Sequence, residues 1–547
     1  MIADFLYSWE IIAFVSFLLL WKFSRSFLKI DEISGKHVFI SGCDSGFGRA
    51  LAERLDKRGV TVYAGCFFQN SVTALKNSCS PRMKPVVVDV TSTESVQNAA
   101  DFVKKDLGNK ALWAVVNNAG KAGIAAPFEW LKKEDCQQIL DVNLLGVFDV
   151  TLAFLPLIKR GNEGRIVNIA SIYGRIGWIV GGYAMSKHAI EAFSDGLSVE
   201  LRPYNITVHT LEPGFFRTGL VDSVCPSIEK RWSEFDEQTK EKFGKDYCDK
   251  RCDSGFGRAL AERLDKKGVT VYAGCFFQNS VTALKNSCSP RMKPVVVDVT
   301  STESVQTLQI LSKKIWEAKV TENNVHSLWA VVNNAGIAGT TVPFAWSKKE
   351  DCQQILDVNL LGVFDVTLAF LPLIKRGNEG RIVNIASIYG RIGWVVGGYA
   401  MSKHAIEAFS DGLSVELRPY NITSYIGTWI FSHRFGGKYS SKIEKRWSEL
   451  DEQTKEKYGN DYCDKLCDHT KKFLNTVASP RLELVVDAYE HALFGKYPNN
   501  RYVVGNDAKF FFIPVSWLPF SYQMMVMEFV EHVKGTERPL PRDAMPS

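Results

Sequence analysis

Lys36-His-Val-Phe-Ile-Ser-Gly-Cys-Asp-Ser-Gly-Phe-Gly48 is the stretch that decides the fold. A short apolar run reads as a strand, and it passes at Ser41 and Gly42 into a glycine turn. Ser45, Gly46, Phe47 and Gly48 then open a helical stretch, Arg49 to Arg58. Glycines at these points permit a tight turn and let backbone N–H groups approach a pyrophosphate at a helix N-terminus. A glycine cluster alone is a weak signal; the strand before it and the helix after it supply the required context.

Outward from this point, strand and helix alternate. Val60–Phe67, Lys84–Val90, Leu112–Asn118, Gly164–Ser171 and Ile206–Glu212 read as short apolar strands, with helical stretches such as Tyr183–Leu201 between them. That order predicts an α/β, Rossmann-type doubly wound parallel sheet with helices on both faces. The composition agrees: 547 residues, 46% apolar and 23% charged, exclude disordered, collagenous and disulfide-scaffold classes. A net charge of +6 over this length is too thin to argue for nucleic acid. Twelve cysteines read as free thiols; Cys463 and Cys467 have no partners at zinc-ligand spacing, and no metal is expected.

The first thirty residues differ in character. Ile11 to Trp21 carries no charge, and Phe5 to Phe23 would rise about 28 Å as a helix, close to a bilayer's hydrocarbon thickness. Lys22, Arg25 and Lys29 follow, and neither a basic start nor a small-x-small cleavage site precedes them. Residues 1–30 therefore read as a retained membrane anchor with the following domain on the cytoplasmic side.

An internal duplication organises the rest. Cys43–Gln97 recurs at Cys252–Gln306, and Leu112–Thr207 recurs at Leu328–Thr423, with few changes. Copy one (31–250) has the complete front. Copy two (251–442) has charged Lys245–Arg251 where the first strand should be, so it is expected to lack that strand, and Arg251 replaces the first glycine. Only copy two is followed by a C-terminal segment (443–547), which would cap a substrate or touch a membrane and could be lent to complete copy one.

Several residues carry chemistry. Tyr183-Ala-Met-Ser-Lys187 places a phenol and an ammonium on one helix face, where the ammonium favours phenolate. Ser171 ends a strand twelve residues upstream, and Asn143 could hold a relay water. Asn117-Asn-Ala-Gly120 ends a strand at the sheet's carboxyl edge, where ligands sit. After the second strand, Cys66-Phe-Phe-Gln69 offers neither Arg nor Lys for a 2′-phosphate nor an acid for a ribose diol. Asp44 would repel a phosphate, which favours NAD over NADP. Each residue alone also has an ordinary structural reading.

As an ordered set these residues resemble the short-chain dehydrogenase/reductase superfamily, twice over. The resemblance implies that Tyr183 is the acid/base, that Ser171 orients the substrate oxygen, that Lys187 lowers the Tyr183 pKa and holds the nicotinamide ribose, and that Asn143 anchors a relay water. It further implies NAD contacts at Gly42, Ser45, Gly46, Phe47, Gly48, Asp89, Val90, Asn117, Ala119, Gly120, Pro213, Gly214 and Thr218. Asn359, Ser387, Tyr399 and Lys403 repeat the catalytic set in copy two, which is expected to be inert. Gly181–Lys187, Glu191–Asp195 and Arg501–Pro519 are similar to the membrane-bound retinol and hydroxysteroid dehydrogenase branch, which implies a lipophilic substrate and the endoplasmic reticulum membrane. The resemblance also implies a homodimer through the helix bearing Tyr and Lys. A β-hydroxybutyrate-type hydroxy-acid dehydrogenase and a non-catalytic, fused nucleotide-binding scaffold are the alternatives.

Overall fold

The computed structural model describes residues 32–214, 255–307, 310, 328–428, 443–534 and 539–542, apart from internal breaks at 125–127, 178–180, 340–341, 378, 395–396, 478–482, 496–497, 500 and 507. The N-terminal anchor and Thr218 lie outside the described residues.

In copy one, β1 (His37–Ile40), β2 (Thr61–Cys66), β3 (Met83–Val87), β4 (Ala114–Asn117), β5 (Gly164–Ile169) and β6 (Ile206–Leu211) form one sheet. Its order is β3-β2-β1-β4-β5-β6, and every pairing is parallel. The chain runs outward from β1 in both directions, so the strand order reverses beside the glycine turn, where a doubly wound sheet binds ligands. The helices are α1 (Gly46–Lys57), α2 (Gln69–Ser78), α3 (Thr93–Leu107), α4 (Lys133–Leu140), α5 (Gly146–Ile158) and α6 (Gly182–Leu201). A π-turn, Asp141–Leu145, joins α4 to α5. Ser92 starts α3 by accepting the Ser95 N–H, and Asn205 at φ 53 supplies the left-handed turn into β6.

Copy two repeats this plan, with no first strand among the described residues. Its helices include α7 (Gly255–Lys266), α8 (Gln278–Ser287), α9 (Lys349–Leu356), α10 (Gly362–Ile374) and α11 (Gly398–Glu416). Its strands split into two sheets: β7 (Val271–Cys275) with β8 (Met292–Val296), and β9 (Ala330–Asn333), β10 (Gly380–Ile385), β11 (Ile422–Thr428) and β12 (Arg501–Val503). The division falls where β1 stands between β2 and β4 in copy one. No described strand bridges it, because Lys245–Arg251 has no apolar run to bury.

The C-terminal segment includes α12 (Glu452–Tyr458), α13 (Tyr462–Val477), α14 (Glu483–Phe494), α15 (Ile513–Ser516) and α16 (Phe520–Lys534). Its placement corrects the sequence expectation that it completes copy one. β12 pairs with β11, α14 packs on α7 and β10, and Phe512 and Val515 pack on Ile388, Ile392 and Trp394, all in copy two.

The two copies join through α4, α5 and α6 against α9, α10 and α11, and one hydrophobic core spans both. The contacts are reciprocal, as near-identical partners about a pseudo-two-fold axis require. Phe128 N–H donates to Glu416 and Phe344 N–H to Glu200, each at 2.6 Å. Lys133 pairs with Asp365 at 3.2 Å and Lys349 with Asp149 at 2.8 Å. Phe128 packs edge-on to Phe364 at 4.8 Å, and Phe344 packs edge-on to Phe148 at 4.9 Å. Among the described residues, two helical runs, Lys133–Ile158 and Lys349–Ile374, are long and apolar enough to cross a membrane; both are mostly buried in this shared core. The α6 face implied for a homodimer is thus covered by the chain's own second copy.

Candidate active site

The glycine turn of copy one is held from below by Asn118. Its side-chain amide donates to the carbonyls of Ser41 at 3.0 Å and Gly42 at 2.9 Å, while its backbone N–H and that of Ala119 donate to Ser41 Oγ at 3.0 and 3.1 Å. This close approach explains the glycines. Gly42 lies at φ +71, and a Cβ there would stand 2.7 Å from Ala119 Cα; a Cβ at Gly48 would collide with the Asn118 amide and the Gly42 carbonyl. Gly46 lies at φ 59. Ser45 precedes α1 without making a side-chain cap, so no side-chain oxygen of Ser45 occupies the N–H groups of the first turn. Phe47 is exposed at the mouth. A pyrophosphate fits this donor set.

Asp44 does not face that helix end. Its carboxylate accepts the backbone N–H groups of Phe67 at 2.8 Å and Phe68 at 3.0 Å, which puts a negative charge at the carboxyl end of β2. Asp89 accepts Thr91 N–H at 2.9 Å and Thr91 Oγ1–H at 2.8 Å, a local turn after β3. Val90 packs beneath Gly146. Asn117 points the other way from Asn118: it is buried and donates to Thr151 Oγ1 at 2.9 Å and Asn168 Oδ1 at 2.8 Å. Gly120 lies where a Cβ would be 3.6 Å from Asn143 Oδ1 and 3.9 Å from Lys187 Nζ, so the end of this loop borders the catalytic candidates. Pro213 accepts the Ile172 N–H at 3.0 Å and lies with Gly214 just beyond β6.

Four polar side chains meet at this edge. Ser171, at the end of β5, is buried and hydrogen-bonds Tyr183 at the start of α6. Lys187, one turn on, is buried, donates from Nζ to the Ile169 carbonyl at 2.7 Å, and stands 5.6 Å from the centre of the Tyr183 ring. Asn143 sits fully buried in the π-turn, accepting Lys121 N–H at 2.7 Å and donating to the Lys121 carbonyl at 2.9 Å and Ser186 Oγ at 3.0 Å. The π-turn widens the helix by one residue and aims Asn143 at the site; such bulges recur where function needs a side chain redirected.

Burial pushes the Tyr183 phenol above the usual tyrosine range, although the Ser171 hydrogen bond pulls it back. Burial also pushes Lys187 down to about 8, against a smaller rise from Glu191. Burial outweighs the ammonium at this phenol, so the expectation that Lys187 brings it below the usual range is not met. Removing the phenolate from water costs more than an ammonium already anchored on the Ile169 carbonyl returns.

Copy two reproduces the catalytic half. Asn359 holds Ile337 as Asn143 holds Lys121, Ser387 is buried, and Lys403 donates to the Ile385 carbonyl at 2.7 Å, 5.8 Å from the Tyr399 ring centre. The nucleotide half differs. Residues 251–254 lie outside the described residues, and Asn334, the counterpart of Asn118, accepts the Tyr489 hydroxyl of α14 at 2.7 Å.

The short chain dehydrogenase family profile matches residues 36–228 and again 252–426. Retinol dehydrogenase 16 of Mus musculus is 41% identical over 295 residues, covering 52% of this chain and 87% of that protein. The 17-beta-hydroxysteroid dehydrogenase type 6 of Homo sapiens is 42% identical over 240 residues, 43% of this chain and 75% of that protein. A solved 3-ketoacyl-(acyl-carrier-protein) reductase from Brucella melitensis, complexed with NADH, is 25% identical and covers 35% of this chain and 80% of that one, with a TM-score of 0.33.

Proposed function

Because the chain belongs to the short chain dehydrogenase family, we propose that it interconverts a lipophilic alcohol of the retinol or hydroxysteroid type and its aldehyde or ketone, with NAD as hydride carrier and copy one as the working site. The class, an oxidoreductase acting on alcohols, follows from the family and its relatives. One observation carries the finer reading: Ser171, Tyr183, Lys187 and Asn143 converge at the sheet edge beside a glycine cradle clamped by Asn118, and only copy one has both halves among the described residues.

The nicotinamide ring, when bound, accepts or returns the hydride. The chain's own residues handle the proton and the geometry. Tyr183 gives or takes the proton at the substrate oxygen. Ser171 hydrogen-bonds the same oxygen and fixes its distance from the phenol. Lys187, buried and a turn away, places positive charge where phenolate develops. Asn143 orders the loop carrying Lys121, and with both amide hydrogens committed it has a second Oδ1 lone pair to accept from a water beside Lys187. Asp44 at the end of β2 supports NAD, since a 2′-phosphate there would meet a carboxylate. The uncharged Ile11–Trp21 run and the exposed Phe510, Trp517 and Phe529 of the C-terminal segment support attachment to a membrane, for which we name the endoplasmic reticulum.

Replacing Tyr183 by Phe, with Tyr399→Phe in the same chain, removes turnover and leaves NADH binding intact. Undiminished turnover of retinol or a hydroxysteroid in that variant defeats the assignment.

A further inference from the structure

The near-identity of the copies makes each a control for the other. On copy two, the face of the sheet and its outer edge are covered by α14 and β12. Trp329 Nε1 donates to the Leu493 carbonyl at 2.7 Å, and Arg381 donates to the carbonyls of Ala492 at 2.7 Å and Gly495 at 3.0 Å. Arg501 binds Glu407, and it grips Asp411 through both carboxylate oxygens at 2.6 and 2.8 Å. Val383 and Ile385 are buried at 2% and 8% exposure, and Ile388 and Ile392 at 1% and 2%.

Every one of these features has a counterpart on copy one that lacks its cover among the described residues. Trp113 and Arg165 stack on one another as Trp329 and Arg381 do, but meet no equivalent of the α14 carbonyls. Val167, Ile169, Ile172 and Ile176 are only half-buried, and Leu211 at the end of β6 is 51% exposed. Among the described residues β6 pairs only with β5. Glu191 is paired with Arg175 at 2.9 Å, yet its buried Oε1 has no partner, and Asp195 makes no ion pair among the described residues. Burial pushes these two carboxyls up, to about 8 for Glu191 and about 7 for Asp195. A half-covered apolar face, a strand edge and an acid pair one guanidinium short thus lie together, and each matches something that α14 and β12 supply to copy two.

We propose that this face of copy one is the docking site for the C-terminal unit, Glu483–Val503, of a second copy of this chain. Arg501 of that copy would bridge Glu191 and Asp195, and its strand would extend the sheet beyond β6. The register follows from copy two. There Ile426 faces Arg501, Gly427 faces Tyr502 and Thr428 faces Val503. On copy one, Thr210, Leu211 and Glu212 occupy those positions. Among the described residues each chain carries two such faces and one unit to fill them, so the unit divides between its own copy two and the copy one of a neighbour. Exchange brings the apolar segment that packs on Ile388, Ile392 and Trp394 over the matching loop of the copy that has the complete glycine turn.

Two measurements on the full chain decide this. A labelled peptide of residues 498–509 is titrated into wild type, Asp195→Lys and Asp411→Lys. Saturable binding to wild type is expected. It should weaken about tenfold or more in Asp195→Lys, the loss of a charge-assisted pair, and persist in Asp411→Lys. No saturable binding, or loss in Asp411→Lys with none in Asp195→Lys, overturns the docking site. Separately, Glu212→Cys with Val503→Cys is oxidised over a range of protein concentration. A two-chain crosslink that grows with concentration and exceeds the yield of either single variant is expected. Its absence, even with peptide binding intact, overturns the second copy as the occupant.

Discussion

Asn118→Ala is the sharpest test of the nucleotide half of the site. The substitution deletes two hydrogen bonds, to Ser41 O at 3.0 Å and Gly42 O at 2.9 Å, and leaves both carbonyls at the base of the glycine turn unpaired. At about 0.5–1.5 kcal/mol each, the turn loses about 1–3 kcal/mol of anchoring. If that anchoring is what holds the turn in its binding shape, NADH affinity falls by about 5- to 150-fold. The assay is calorimetric or fluorescence titration of NADH into the full-length chain, with Asn334→Ala as an internal control. Asn334 bonds Tyr489 rather than a strand-borne glycine turn, so its loss should leave NADH affinity unchanged. Unaltered affinity in Asn118→Ala, or an equal fall in Asn334→Ala, refutes the reasoning.

Phe128→Ala and Phe344→Ala each truncate a fully buried ring in the joint between copies and should each cost about 3–5 kcal/mol, read as a lower urea midpoint; a shift too small to measure would mean that the copies do not stabilise one another. Alcohol oxidation needs Tyr183 deprotonated, and burial raises its pKa, so the oxidation rate should climb with pH past neutrality while carbonyl reduction falls; a kcat–pH profile flat from 6 to about 10 contradicts this. Glu191 has its carboxyl raised to about 8 by burial, so its ionisation opposes folding: the cost is absent below the unfolded value near 4.5 and grows as pH rises towards 8. Glu191→Gln should therefore match wild type in thermal midpoint near pH 4 and exceed it above pH 8, with equal midpoints throughout counting against the shift.

Much of the fold was legible because it rests on local signals. The apolar run into Gly42 marks β1, and the alternation beyond it marks a parallel sheet. The lack of an apolar run before Cys252 agrees with the division of the copy-two strands into two sheets, which no described strand bridges. Tyr183, Lys187 and Ser171 were legible for the same reason, since a helical i, i+4 spacing and a strand end set their positions. Asn118 was passed over in favour of its neighbour Asn117, with which it shares one tetrapeptide. Side chains alternate across a strand, and only the packed sheet shows that Asn117 turns into the Thr151–Asn168 network while Asn118 turns to the glycine loop. Spacing places Lys187 beside Tyr183, but the burial that raises the phenol's pKa is not written in the pair.

The sequence by itself determined that two dehydrogenase copies are present and that one has the complete front, and it singled out the four residues that we propose carry the proton chemistry. Only the tertiary structure decided how the copies meet and which of them receives the C-terminal segment. The edge strands differ, with Tyr425 of β11 packing edge-on to Tyr502 where β6 has His209, but the faces of β5 and β10 carry the same residues and cannot choose between them. Chain connection can: β11 leads to Ile443 through a short stretch, 429–442, which keeps the segment at high local concentration beside copy two. The pairing of α6 with α11 arises in the same way, because joining the copies in one chain turns an association between molecules into a contact within one.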